Sequence, residues 1–87
     1  MTEQEIGRRV GDFIKTNFLF DERGVDIDES LLGSGTVDST GILEVITFLE
    51  QSFQIHFEDR ELVGENFDTV RRIQSFVFQK LNDGHLT

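Results

Sequence analysis

Asp38 and Ser39 stand just upstream of an amphipathic segment, inside a run of 36 residues, Gly24 to Asp59, that contains neither Lys nor Arg. A serine at a helix start framed by acids has no cation or base beside it to activate its hydroxyl. It is poorly built for catalysis. The same serine is well placed to be modified and then presented to basic partners.

Other chemistries can be tested against their spacing requirements. Gly33-Ser34-Gly35 resembles the opening of a phosphate-cradling loop, but no strand precedes it, Asp38 stands where a third glycine belongs, and no Lys follows. Asp26, Asp28 and Ser30 mimic the first ligands of a calcium loop, yet Leu31 replaces the central glycine and Val37 the closing glutamate. Ser39-Thr40-Gly41 matches half of a hydrolase nucleophile elbow, with Val37 in place of the first glycine and no sheet to present the serine. A hydrolase would also need a general base. His56 falls in a loop between apolar neighbours and His85 in the C-terminal tail, neither in an evident relation to Ser39 or to a carboxylate pair.

The elements that must position Ser39 follow from helical periodicity. Thr2 and Glu5 form a capping-box signature ahead of Ile6, Val10, Phe13 and Ile14, which predicts a helix over about 3–17. From Phe18 to Val37 the periodicity fails and Gly24, Gly33 and Gly35 punctuate a long loop. Its apolar residues Phe18, Leu19, Phe20, Val25, Ile27, Leu31 and Leu32 are expected to pin it across the bundle. Asp38 is a good N-cap for a second helix over about 39–54, in which Ile42, Val45, Ile46, Leu49 and Phe53 form the inward stripe. Leu43 and Thr47 fall beside that stripe, near Glu44 and Glu50, with Phe48 on the opposite flank. A short helical segment is expected over 58–63, packing by Leu62 and Val63 and closed by Gly64. A last helix over about 69–81 turns Val70, Ile73, Val77 and Leu81 inward, with Phe76 or Phe78 at one edge, until Asn82-Asp83-Gly84 stops it. Phe67 reads as a hydrophobic staple. The fold class is therefore all-α, a small bundle of three longer helices and one short one, in a single domain over 1–87.

Composition narrows the function classes. A chain of 87 residues buries only about 60% of the surface its unfolded form exposes, which leaves little room for a deep catalytic cleft. There is no cysteine, hence no disulfide, no thiolate nucleophile and no cysteine metal site. A formal charge of −9 opposes nucleic acid and favours partners with basic patches. No apolar run is long enough for a membrane span, and Met1 to Glu5 is polar and acidic rather than a basic leader, so a cytoplasmic monomer is expected.

Gly35-Thr36-Val37-Asp38-Ser39-Thr40-Gly41, running into Leu43-Glu44-Val45-Ile46-Thr47-Phe48-Leu49-Glu50, resembles the acyl carrier protein family. The resemblance covers nearly the whole chain, including the helix order. It implies an acyl or aminoacyl carrier and not an enzyme, with 4′-phosphopantetheine attached to Ser39, Asp38 beside the attachment point, and Thr40, Leu43, Glu44, Thr47 and Glu50 facing partner enzymes. The implied partners are a phosphopantetheinyl transferase and an acyl- or aminoacyl-activating ligase, synthase or transferase with a basic docking patch. The implied setting is lipid or secondary-metabolite biosynthesis. In the fatty-acid-synthesis members Leu usually follows the serine; here Thr40 and Gly41 follow, which makes this flank more polar and, by the freedom of glycine, more flexible. The Asp-Ser-Thr-Gly run and Glu65-Asn66-Phe67-Asp68-Thr69 look more like specialised carriers. The carrier role needs no activated serine, since the modifying enzyme supplies base, metal and donor, and the arm supplies the sulfur that the polypeptide lacks.

Plainer readings stand beside these. Ser39 is otherwise an ordinary first-turn serine, Asp38 only an N-cap, Glu44 and Glu50 solvated acids, and Leu43 half-buried core. The rival function is an unmodified acidic helical module that docks a basic partner by its second helix.

Overall fold

Thr2 starts the first helix as expected: its Oγ1 accepts the Glu5 N–H at 3.1 Å, and α1 runs Glu3–Phe18. Acids in its first turn and Lys15 in its last complement the helix dipole. The structure, a computed structural model, describes residues 1–19 and 25–83. Phe20, Gly24, Gly84 and His85, named above, lie outside the described residues.

Among the described residues the fold is all-helical, without strands. After α1 come α2 (Gly41–Phe53), a lone 3-10 turn (Asp59–Glu61), the single-turn α3 (Gly64–Phe67) and α4 (Val70–Asp83). The long helices appear because each carries apolar residues at spacings of three and four, and those stripes meet. Ile6, Val10 and Ile14 of α1, Val45, Leu49 and Phe53 of α2, and Val70, Ile73 and Val77 of α4 are all buried in one core. Gly7 of α1 faces Gln74 of α4, whose side-chain amide occupies the space a Cβ at Gly7 would take. No helix among the described residues is long and apolar enough to cross a membrane.

The third segment differs from its expected form. The 58–63 helix is replaced by the 3-10 turn followed by α3, and Gly64 opens α3 instead of closing the segment. Leu62 and Val63 are 39% and 47% exposed, so they do not pack inward. The buried residues here are Phe57 and Phe67, which form an edge-to-face pair at 5.3 Å and both lie against Phe76 of α4. One large aromatic at each end anchors the segment more effectively than two aliphatics in its middle. Phe67 is thus a core residue of α3 rather than a staple. Lys80 closes this cluster, with its ammonium 2.9 Å from Glu61 and 5.4 Å from the Phe57 ring centre. Thr69 caps α4 by accepting the Arg72 N–H at 3.0 Å.

The long loop is ordered where it is described, but mainly by polar pins. The Asp68 carboxylate accepts the Ser30 hydroxyl at 2.7 Å and the Leu32 N–H at 3.2 Å, while its backbone carbonyl accepts the Leu31 N–H at 2.6 Å. The Arg71 N–H donates to the Ile27 carbonyl at 3.0 Å, and its guanidinium grips Asp28. Leu31 is buried and Phe18 and Val25 pack on the core as expected, whereas Ile27 and Leu32 are exposed. Their backbone is held by hydrogen bonds, so their side chains need not enter the core.

Candidate functional site

Asp38 begins the winding of α2 one turn ahead of its regular part. Its backbone carbonyl accepts the Ile42 N–H at 3.0 Å and its Oδ1 accepts the Gly41 N–H at 2.6 Å. That is the bonding of an N-cap, and it leaves Ser39 and Thr40 in a turn that precedes the regular helix. The expected start at 39 therefore moves to Gly41, and the end at 54 to Phe53, because Gln54 adopts a left-handed φ of 57° and ends the helix. Val37, fully buried, anchors the chain immediately before this turn. Ser39 and Thr40 are exposed.

Gly41 has a different role from the expected one. It is buried, and a Cβ there would sit 2.8 Å from Phe18, 3.1 Å from the Asp38 carboxylate and 3.2 Å from Val37. The glycine permits close packing under the serine turn. The turn is held between a buried valine, a capping carboxylate and an aromatic ring, so the extra flexibility expected of this flank is not what the glycine supplies.

Leu43 is 60% exposed, which decides against the half-buried reading. Glu44 and Thr47 are exposed beside it, and the Thr47 hydroxyl donates to the Leu43 carbonyl at 3.0 Å. Thr40, Leu43, Glu44 and Thr47 line one open groove of about 430 Å³, completed by Phe48, Gln51 and, from α1, Phe13. Phe13 and Phe48 stack with ring centres 4.1 Å apart. Phe13, Phe48 and Gln51 were not among the sequence-derived site residues. Phe13 reads as core from its periodicity on α1; Gln51 is found by continuing the row 40, 44, 47, 51 along the helix.

Glu50 is set apart from this group. Its Oε2 accepts the Phe57 N–H at 3.0 Å and lies 3.4 Å from His56 Nδ1, so it secures the chain reversal after α2 and does not line the groove. The plain reading of Glu50 as a merely solvated acid is corrected on that ground, since its side chain is half-buried and bonded to a returning backbone amide. His56 is at the far end of α2 from Ser39. A helix of 13 residues is about 20 Å long, which removes His56 as a base for the serine.

The charge around the site is one-sided. From residue 25 to 59 the described chain has no Lys or Arg, whereas the cations lie on α1 (Arg8, Arg9, Lys15), on the 3-10 turn (Arg60) and on α4 (Arg71, Arg72, Lys80). Several of these are already matched: Arg60 with Glu58, Arg71 with Asp28, Arg72 with Glu65 and Lys80 with Glu61. The arrangement offers exposed hydroxyls on Ser39 and Thr40, the acids Asp38 and Glu44, and an apolar groove that Thr40 lines. When the chain is compared with known protein families and with curated proteins, neither comparison finds a match.

Proposed function

We infer that the chain is an acyl or aminoacyl carrier, modified on Ser39 with 4′-phosphopantetheine and serving partner enzymes of lipid or secondary-metabolite biosynthesis. The observation that carries this reading is the exposed Ser39 in a turn fixed by Asp38 at the entry to α2. The residues present are compatible with the group. Ser39 is exposed to a modifying enzyme, and the Asp38 carboxylate is already engaged by the Gly41 amide. A phosphodiester on residue 39 would also lie at the positive end of α2. When bound, the arm supplies a thiol on which cargo is held as a thioester.

The polypeptide's part is presentation. Asp38 and Glu44 give the serine turn a negative field that draws basic enzyme surfaces, and Leu43 adds a small apolar contact. Such encounters are fast, weak and salt-sensitive, which suits a carrier that must leave each partner.

The unmodified docking module is the second reading, favoured by the exposure of Leu43 next to Glu44. Incubating the purified protein with coenzyme A, magnesium and a promiscuous phosphopantetheinyl transferase separates the two. The expected result is a mass gain of one phosphopantetheinyl group, mapped to Ser39 and absent from Ser39→Ala. An unchanged mass for the wild-type chain, with a control carrier modified in parallel, overturns the carrier reading.

A further inference from the structure

On the carrier reading, we propose that the loaded arm folds back into the groove between α1 and α2, and that the groove selects uncharged apolar or aromatic acyl cargo. Three observations bear on where such cargo rests. The first is continuity. Thr40, next to the attachment residue, lines the groove, which then follows α2 to Gln51. Eleven residues of helix correspond to about 16 Å, a distance comparable to the extended arm.

The second is chemistry. The arm contains two amides, and the groove offers the Thr40 and Thr47 hydroxyls and the Gln51 amide beside the apolar surfaces of Leu43, Phe13 and Phe48. The Thr47 hydroxyl spends its proton on the Leu43 carbonyl and keeps its lone pairs for an incoming amide N–H. Glu44 lines the same groove and, among the described residues, no Lys or Arg does, so a cargo bearing a carboxylate is disfavoured there. A volume of about 430 Å³ falls in the range of about 300–1,000 Å³ typical of small-molecule sites.

The third is the state of the interior. The space between the 3-10 turn, α3 and α4 is filled by Phe57, Phe67 and Phe76, closed over by Lys80. Entry of an acyl chain there would require that cluster to separate, whereas the outer groove is open already. Tethering makes a shallow groove sufficient. A short flexible tether gives an effective concentration on the order of millimolar, so even millimolar intrinsic affinity fills the groove about half the time. The partner-facing surface and the resting place of the arm then coincide, and docking of an enzyme at Leu43 and Thr47 displaces the arm.

The test transfers a benzoyl-loaded arm from benzoyl-coenzyme A to isotope-labelled protein and, separately, a succinyl-loaded arm. Mass gain on Ser39 is checked first; its failure overturns the carrier reading and this inference with it. With modification established, the inference expects nuclear Overhauser contacts from the benzoyl ring to Phe13 and Phe48. It also expects at least a twofold loss of contact intensity for the succinyl arm and loss of the benzoyl contacts in Thr47→Glu, whose substituted side chain is exposed. Contacts to Phe57 and Phe67, contacts between labelled and unlabelled copies in a mixed sample, or arm signals at their free-solution positions each overturn the groove and leave the carrier reading standing.

Discussion

Replacing Asp38 separates the two roles its carboxylate can play. Asp38→Ala removes the acceptor that meets the Gly41 N–H at 2.6 Å. Loss of an N-cap costs about 0.5–2 kcal/mol, and loss of a charge at the positive end of a helix about 0.3–1 kcal/mol. Because the two overlap in one group, the alanine variant is expected to lose about 1–2 kcal/mol. Asp38→Asn keeps an acceptor of equal capping rank and loses only the charge, so its loss is about 0.3–1 kcal/mol. In a domain of this size 1 kcal/mol corresponds to about 4–8 °C, which puts the alanine variant roughly 4–16 °C below the parent and the asparagine variant between the two. Thermal unfolding followed by far-ultraviolet circular dichroism measures both. An alanine variant that melts at or above the asparagine variant refutes the assignment of Asp38 as the cap of α2. On the carrier reading, the rate of transferase modification tests the other role: both variants lose the charge, so both are expected to be modified more slowly at low salt and to show a smaller salt dependence.

Three further outcomes follow from the same contacts. Gly41→Ala should lower the denaturant midpoint, with a net loss of about 1 kcal/mol, because overpacking against Phe18, Val37 and the Asp38 carboxylate costs about 1–3 kcal/mol and exceeds the helix-propensity gain of about 1 kcal/mol. A midpoint at or above the parent's would mean that the Phe18 ring swings aside without cost. Glu50→Ala should destabilise by about 1–2 kcal/mol by stranding the part-buried Phe57 N–H, and Glu44→Ala should stay within about 0.5 kcal/mol of the parent; equal losses in the pair would count against Glu50 as the fastener of the reversal. The Glu61 carboxyl is held below its ordinary value of 4.5 by the Glu58 N–H, with Lys80 adding to this against the opposing effect of burial. The Asp28 carboxyl is held below its ordinary 3.8 by the hydrogen bond from Arg71. Depressed folded-state values mean stability that is fully present above about pH 4.5 and is lost as the pH falls through the folded values. Glu61→Gln should flatten the melting profile in that acid window, and an unaltered profile would show that the carboxylate contributes nothing there.

The long helices were legible because their apolar residues repeat at the helical period, and the serine turn because Asp38 signals an N-cap locally. The segment after α2 was not legible for the complementary reason. Its conformation is decided by Phe57 and Phe67 meeting Phe76 across the bundle, and nothing in the spacing of Leu62 and Val63 reveals that they are left outside. The loop's pins are equally non-local: Ser30 to Asp68 and Asp28 to Arg71 join residues about forty positions apart. Glu50 shows the limit most clearly, since a glutamate on an exposed helix flank and one that holds a returning backbone amide look the same until the chain reversal is known. Within the candidate site, Leu43 and Thr47 follow from helix geometry and Glu44 from the family resemblance, whereas Phe13 joins them from another helix.

Among the described residues the cations lie on α1, the 3-10 turn and α4, and none lies on the stretch from 25 to 59 that carries the serine turn, so charge is unevenly shared among the elements of the molecule. In the field of a positively charged surface such a body experiences a torque before it experiences a contact, and it swings its anionic end forward while still in solution. Productive collisions then no longer depend on a random tumble.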